Sequence, residues 1–164
     1  MEFPDRFVQR LVIGVGNDFR GDDAAGLAVV RMLSNNPPAG TVTRVESGDN
    51  AGLIDAWQGF DEVVIVDAAS SGSPQGTVFH IDASTGPIPE GLLRGFSTHA
   101  MSIGGVIELA RTLGRMPARL IVCGIEGREF AIGAAMSPEV LKAAGELETR
   151  LRRESSIPAM ADWV

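Results

Sequence analysis

The six residues 62–67, Glu-Val-Val-Ile-Val-Asp, constrain the fold more than any other stretch of the chain. Successive β-branched apolar side chains leave no polar face to turn toward water, so the strand they form must be covered on both sides, as in a parallel sheet between helices. The closing aspartate then stands at the carboxyl end of a central strand, where open α/β sheets place their ligands. Residues 8–15 (VQRLVIGV) and 119–125 (RLIVCGI) repeat the buried pattern, whereas residues 41–46 (TVTRVE) alternate with period two and suit a strand nearer the edge. Residues 77–82 (TVFHID) follow the turn segment SSGSPQG too closely for a helical crossover, so they are expected to add to the sheet antiparallel. Helical spacing of apolar residues marks 22–33, 98–113 and 138–153, with a shorter helix over 50–58. Strands alternating with helices in this way specify one three-layer α/β domain, an open and mainly parallel sheet with helices on both faces. The domain is expected to take in residues 1–154, leaving 155–164 as a frayed or docked C-terminal tail.

Composition narrows the function. A length of 164 residues suits one core, and 45% hydrophobic with 21% charged residues excludes disordered, collagen-like and disulfide-scaffold classes. With 14 Lys plus Arg against 21 Asp plus Glu the net charge is -7, which repels phosphate backbones and anionic lipid, so neither nucleic acid nor a membrane surface is an expected partner. Cys123 is the sole cysteine, the N-terminal stretch MEFPDRFVQR lacks the apolar core of an export signal, and no apolar run nears the roughly 20 residues that span a bilayer. A cytoplasmic protein is expected.

The residues to inspect lie just beyond the strand ends. Asp22 and Asp23 follow the first strand, Asp67 ends the third, and His99 falls in the expected first turn of the helix over 98–113. Together they suggest a cluster of two carboxylates and one imidazole on one rim. One of the adjacent pair is expected to cap its helix; with Asp22 in that role, Asp23 faces the site. For Asp67 the alternative is a turn residue bonded to nearby backbone, and for His99 a solvated surface position. At a helix start the dipole favours neutral imidazole, the form that binds metals. Gly14 and Gly16 suggest either a phosphate cradle or a tight strand-to-helix turn. The dinucleotide fingerprint fails, because Phe19 stands where a third glycine is needed and Asp22-Asp23 would oppose a pyrophosphate. His80 reads as structural or exposed, and Cys123 as a buried small hydrophobe. Neither a nucleophile elbow, a His-Glu-x-x-His pair, a Cys-x-x-Cys pair nor a Walker loop is present.

Four pieces taken together resemble the hydrogenase maturation endopeptidases: GVGNDFRGDDAAG at 14–26; VVIVDA at 63–68 with SGSPQGT at 71–77; Ser97-Thr98-His99; and Gly124-Ile125-Glu126 followed by Met136-Ser137-Pro138. The similarity runs from about residue 11 to 150. It implies a twisted five-stranded sheet between helices, and removal of a short C-terminal peptide from the precursor large subunit of nickel-iron hydrogenase after nickel insertion. It also implies that Asp23, Asp67 and His99 are the metal ligands and the catalytic site, with nickel supplied by the substrate and zinc as a possible surrogate, since borderline metals accept carboxylate and imidazole together. Activation of water is assigned either to the metal as a Lewis acid or to one carboxylate as general base. Two departures stand out. The segment Ser47-Gly48-Asp49-Asn50 replaces an Asp-Gly-Gly-Thr type stretch, leaving Asp49 as a candidate for its acidic role. Gly127 replaces a proline, which is expected to loosen the loop after the last strand.

The partner implied is the precursor large subunit, and the protein is expected to act as a monomer. Two other classes compete with the peptidase. The altered segment at 47–50 motivates a non-cleaving nickel-site binding module or assembly chaperone, and Gly14 with Gly16 motivates a nucleotide-dependent enzyme.

Overall fold

Five strands form one sheet in a computed structural model that describes residues 8–47, 50–89 and 102–154. In chain order the elements are β1 (Arg10–Val15), α1 (Ala25–Ser34), β2 (Thr41–Glu46), α2 (Leu53–Ala56), β3 (Glu62–Ala69), β4 (Val78–Asp82), α3 (Ile103–Thr112), β5 (Arg119–Glu126) and α4 (Pro138–Arg153). The strand order is β2-β1-β3-β5-β4. The first four of these pair parallel, and β4 closes one edge antiparallel to β5, with Val78 opposite Ile125 and Asp82 opposite Ile121. The short turn before residue 77 leaves no length for a crossover, and the chain reverses there as expected.

The even-numbered apolar residues of β3 and the odd ones of β5 pack under α1 and α4, as Val64, Val66, Ile121 and Cys123 do. The alternate residues, among them Val63, Ile65 and Val122, meet α2 and α3 on the other face. Two apolar faces explain why β3 is buried from end to end. Full burial of each Val, Leu or Ile contributes about 1.5–3 kcal/mol, so this two-sided core is the main stabilising contribution. At the edge, β2 alternates toward solvent. Among the described residues no helix is long and apolar enough to cross a membrane.

Two helix starts differ from expectation. The first helical segment opens as a 3-10 turn, Gly21–Ala24, before α1 begins at Ala25. The third starts later than periodicity suggested: Ser102 is its cap, accepting from the Gly105 N–H at 3.0 Å, and the helix runs from Ile103. The expected first turn at 98–101, with His99 in it, falls outside the described residues, and the described helix is bounded by the Ser102 hydroxyl, four residues past the expected start of the periodic segment. His99, Asp49 and the tail 155–164 lie outside the described residues.

Close backbone approach places α1 on the sheet. A Cβ on Gly14 would lie 2.3 Å from the Gly26 carbonyl oxygen, and one on Gly26 would lie 2.1 Å from that of Val66. The helix axis is thereby drawn down onto β1 and β3. At Gly16 (φ 151°) an added Cβ would lie 1.9 Å from the Asp23 carbonyl oxygen. Backbone fills the space over both glycines, as the tight-turn alternative requires. Gly26→Ala is expected to destabilise by about 3 kcal/mol through overpacking against a carbonyl that cannot yield. At roughly 2–4 °C per kcal/mol for a domain this size, the Tm should fall by about 6–12 °C. An unchanged melting curve would show that the helix can slide away.

Candidate functional site

Strand connectivity changes direction between β1 and β3: the chain leaves β1 toward β2 on one side, and β3 continues toward β5 on the other. At such a switch point the loops diverge and open a crevice at the carboxyl ends. Pairing between β1 and β3 ends at Gly14 opposite Val66, one residue before Asp67, while β3 stays paired to β5 through Asp67 opposite Gly124. Asp67 therefore stands at the inner wall of that crevice. It is wholly buried. Its Oδ1 accepts from its neighbour's Ala68 N–H at 2.8 Å, and its Oδ2 has no hydrogen-bond partner among the described residues.

The 3-10 turn Gly21–Ala24 packs against β3 and brings Asp23, 1% exposed, to the same end of the strand. Burial pushes the Asp67 carboxyl well above the usual carboxylate range; the Ala68 N–H opposes the rise, and the charge of Asp23 adds to it. Two buried carboxylates so placed favour a shared proton or a cation between them. Of the three expected ligands, the structure brings Asp23 and Asp67 together; the third, His99, lies outside the described residues. Among those described, no group of three or more His, Cys, Asp or Glu is placed to hold a metal.

Asp22 has a different task from the one its position suggested. It makes no cap to its own helix. Its Oδ2 instead accepts from the backbone N–H groups of Arg128 and Glu129 at 2.9 Å each, from Ser137 Oγ at 2.9 Å and from Gln75 Nε2 at 3.2 Å, while Oδ1 accepts from the Ser137 N–H at 2.7 Å. Because Ser137 is the cap residue of α4, Asp22 ties the start of a distant helix, the loop after β5 and the turn after β3 to one carboxylate. Burial would raise its pKa, but hydrogen bonds from Arg128, Glu129 and Ser137 outweigh burial and hold it below the ordinary value. Asp22 is thus the organiser and Asp23 the residue left at the crevice, as expected for the pair, although the helix capped is α4.

Gly127 corrects another expectation. The loop after β5 is not loosened: the Gly127 N–H donates to the Ala69 carbonyl at 3.0 Å, the Asp22 N–H to that of Glu129 at 2.7 Å, and the Gly133 N–H to that of Phe19 at 2.7 Å. An added Cβ at 127 would lie 2.6 Å from the Asp22 Cβ, so a side chain is excluded by the anchor itself. Glu126, which sequence reasoning left without a role, is 2% exposed and binds the turn after β3: its carboxylate accepts from the Ser71 N–H, the Gly72 N–H and Ser71 Oγ, each at 2.9 Å. The signal for it was present, since Glu126 closes an apolar strand as Asp67 does.

The remaining candidates are structural. Cys123 is buried under α4 and its thiol is pushed up to about 12 by burial, which keeps it protonated and unreactive. His80 is half-buried on β4, and burial, followed by the charges of Arg119 and Arg150, lowers its pKa below the ordinary value.

Known proteins with this geometry are consistent. A family model for hydrogenase maturation proteases matches residues 28–154. The chain is 27% identical over 156 residues to the hydrogenase 2 maturation protease of Escherichia coli, covering 92% of this chain and 94% of that protein. It is also 27% identical over 133 residues to the hydrogenase expression/formation protein HupD of Thiocapsa roseopersicina; that match covers 79% of this chain and spans 60% of the relative's length. A crystal structure of a nickel-iron hydrogenase maturation protease from Thermococcus kodakarensis superimposes with a TM-score of 0.70 over 89% of this chain and 91% of that one, at 22% identity, and supports the fold. With the family model spanning most of its length, the chain belongs to the hydrogenase maturation protease family, a family of peptidases.

Proposed function

We propose that the protein is an endopeptidase that removes a C-terminal peptide from the precursor large subunit of nickel-iron hydrogenase once nickel is in place. The observation that carries this reading is the pair Asp23 and Asp67, converging at the switch-point crevice with Asp67 Oδ2 buried and lacking a hydrogen-bond partner among the described residues. A buried acceptor of this kind is costly to leave unmatched, and a cation carried in by the substrate would satisfy it. The donor set fits. Asp23 and Asp67 offer carboxylate oxygens, and with His99 as the third ligand the set is of the kind borderline metals such as nickel accept, with zinc as a surrogate. In this reading the two aspartates recognise the nickel of the substrate and so set the position of the scissile bond, while the loops fixed by Asp22 and Glu126 wall the crevice. Precursor without nickel offers no charge to match the carboxylates, which makes metal insertion the condition for cleavage. The protein acts in the cytoplasm as a monomer.

The test is processing of a purified nickel-loaded precursor followed by mass spectrometry. Wild-type protein is expected to shorten the large subunit, and Asp23→Ala, Asp67→Ala and His99→Ala to slow the step by at least ~100-fold, the scale of losing a group that orients or stabilises the reacting centre. Trimming by all three variants at the wild-type rate would defeat the reading. A stable complex with no mass loss would mark the protein as a nickel-site chaperone.

A further inference from the structure

We propose that Glu126 is a positioning residue of this site, holding residues 70–73 as a fixed ledge beside Asp67 against which the precursor's C-terminal segment is laid; the inference rests on the peptidase reading. Ala69 is paired with Glu126 across the ends of β3 and β5, so the ledge starts where the two strands stop. Both oxygens of Glu126 are committed to it: Oε1 accepts from the Ser71 and Gly72 N–H groups at 2.9 Å each, and Oε2 from the Ser71 N–H at 3.1 Å and Ser71 Oγ at 2.9 Å. The far end is fixed as well, by Gln75 Nε2 on Asp22 and by the Gly76 N–H donating to the Glu126 carbonyl at 2.8 Å.

What is held in place is exposed, while what holds it is buried. Ser70, Ser71 and Gly72 face solvent, yet Glu126 is 2% exposed. Withdrawing a carboxylate from water is costly, and a surface turn alone is adequately closed by its own Ser, Pro and Gly residues. The turn already has such means, since the Thr77 N–H donates to the Pro74 carbonyl at 3.0 Å, and Gly72 and Gly76 both sit at φ 85°. A buried carboxylate added to a turn that can close unaided is explained by the need for a rigid surface close to the crevice. Rigidity counts there because a flexible peptide must be held in register for cleavage at one bond.

The experiment compares wild type, Glu126→Ala and Glu126→Gln in processing nickel-loaded precursor, alongside anisotropy measurements of precursor binding and titration of each metal-free protein with zinc alone. Glu126→Ala is expected to raise KM about tenfold with kcat within twofold and zinc affinity unchanged. Glu126→Gln, which keeps an acceptor for the Ser71 and Gly72 N–H groups, should recover most of the loss. An unchanged KM, a fall in kcat alone, or an equal loss in both variants that follows their Tm would overturn the proposal. If wild type binds precursor without cutting it, the peptidase reading fails, and the ledge stands or falls on whether Glu126→Ala binds about tenfold more weakly. Absence of any binding by wild type overturns both.

Discussion

Asp22→Ala should cost the protein about 4 kcal/mol, with a fall in Tm of roughly 8–16 °C. The estimate follows from what the substitution leaves behind. Three backbone N–H groups, at Arg128, Glu129 and Ser137, together with Ser137 Oγ and Gln75 Nε2, lose one shared acceptor. A hydrogen bond to a charged group contributes about 1.5–3 kcal/mol, and a buried donor left unmatched costs about 1–3 kcal/mol. The sum is reduced because Arg128 and Glu129 are exposed and water can reach their amides. A simple helix cap would lose only about 1 kcal/mol, so denaturant titration distinguishes the two roles by magnitude. A loss near 1 kcal/mol would show that the loops after β3 and β5 are held by other bonds. Asp22→Asn should recover less than half of the loss, since its amide N–H₂ must oppose one of the donors now satisfied. The pH dependence has a definite sign. Because the folded-state pKa of Asp22 is lowered, its contribution is complete above the unfolded value of about 3.9 and is lost as the pH falls through the folded one.

Asp67→Asn is expected to act in the opposite direction, raising the stability of the metal-free protein by about 1–2 kcal/mol while abolishing processing. Asp67 is buried with one oxygen unmatched among the described residues, and its pKa is raised well above the ordinary value by burial, with the charge of Asp23 adding. A raised carboxyl pKa means that the folded state binds the proton more tightly than the unfolded chain. The associated stability is therefore fully present below about pH 3.9 and is lost as the pH rises from there through the folded pKa. An amide in the same place carries no charge, so the gain in Tm over wild type should be near zero at pH 4 and grow toward neutrality. A variant less stable than wild type at pH 7 would show that the Asp67 charge is already compensated in the metal-free fold.

The strand runs were legible because burial on both faces imposes a continuous apolar pattern, and because the tight spacing before residue 77 left only an antiparallel addition. Asp67 was legible for the same reason, as the polar end of such a run. Asp23 was separable from Asp22 only as one member of a pair, and the partner's task was hidden: its donors come from residues 75, 128, 129 and 137, and no local pattern reports contacts across 53 to 115 positions. The start of α3 was placed too early because apolar spacing fixes the buried face of a helix and not its first residue, which is set by the Ser102 hydroxyl accepting from the Gly105 N–H. Gly127 misled in the other direction. A glycine suggests freedom, but here it is required because the Asp22 side chain occupies the space a Cβ would fill.

The Asp22 anchor joins a residue near the beginning of the chain to Ser137, so the crevice cannot be assembled by any early portion of the polypeptide. During synthesis Asp23 and Asp67 emerge long before the start of α4, and until that helix docks they are two acidic groups without walls. The walls of the crevice are complete only once α4 has docked, which makes this rim a product of the whole described fold rather than of its first three strands.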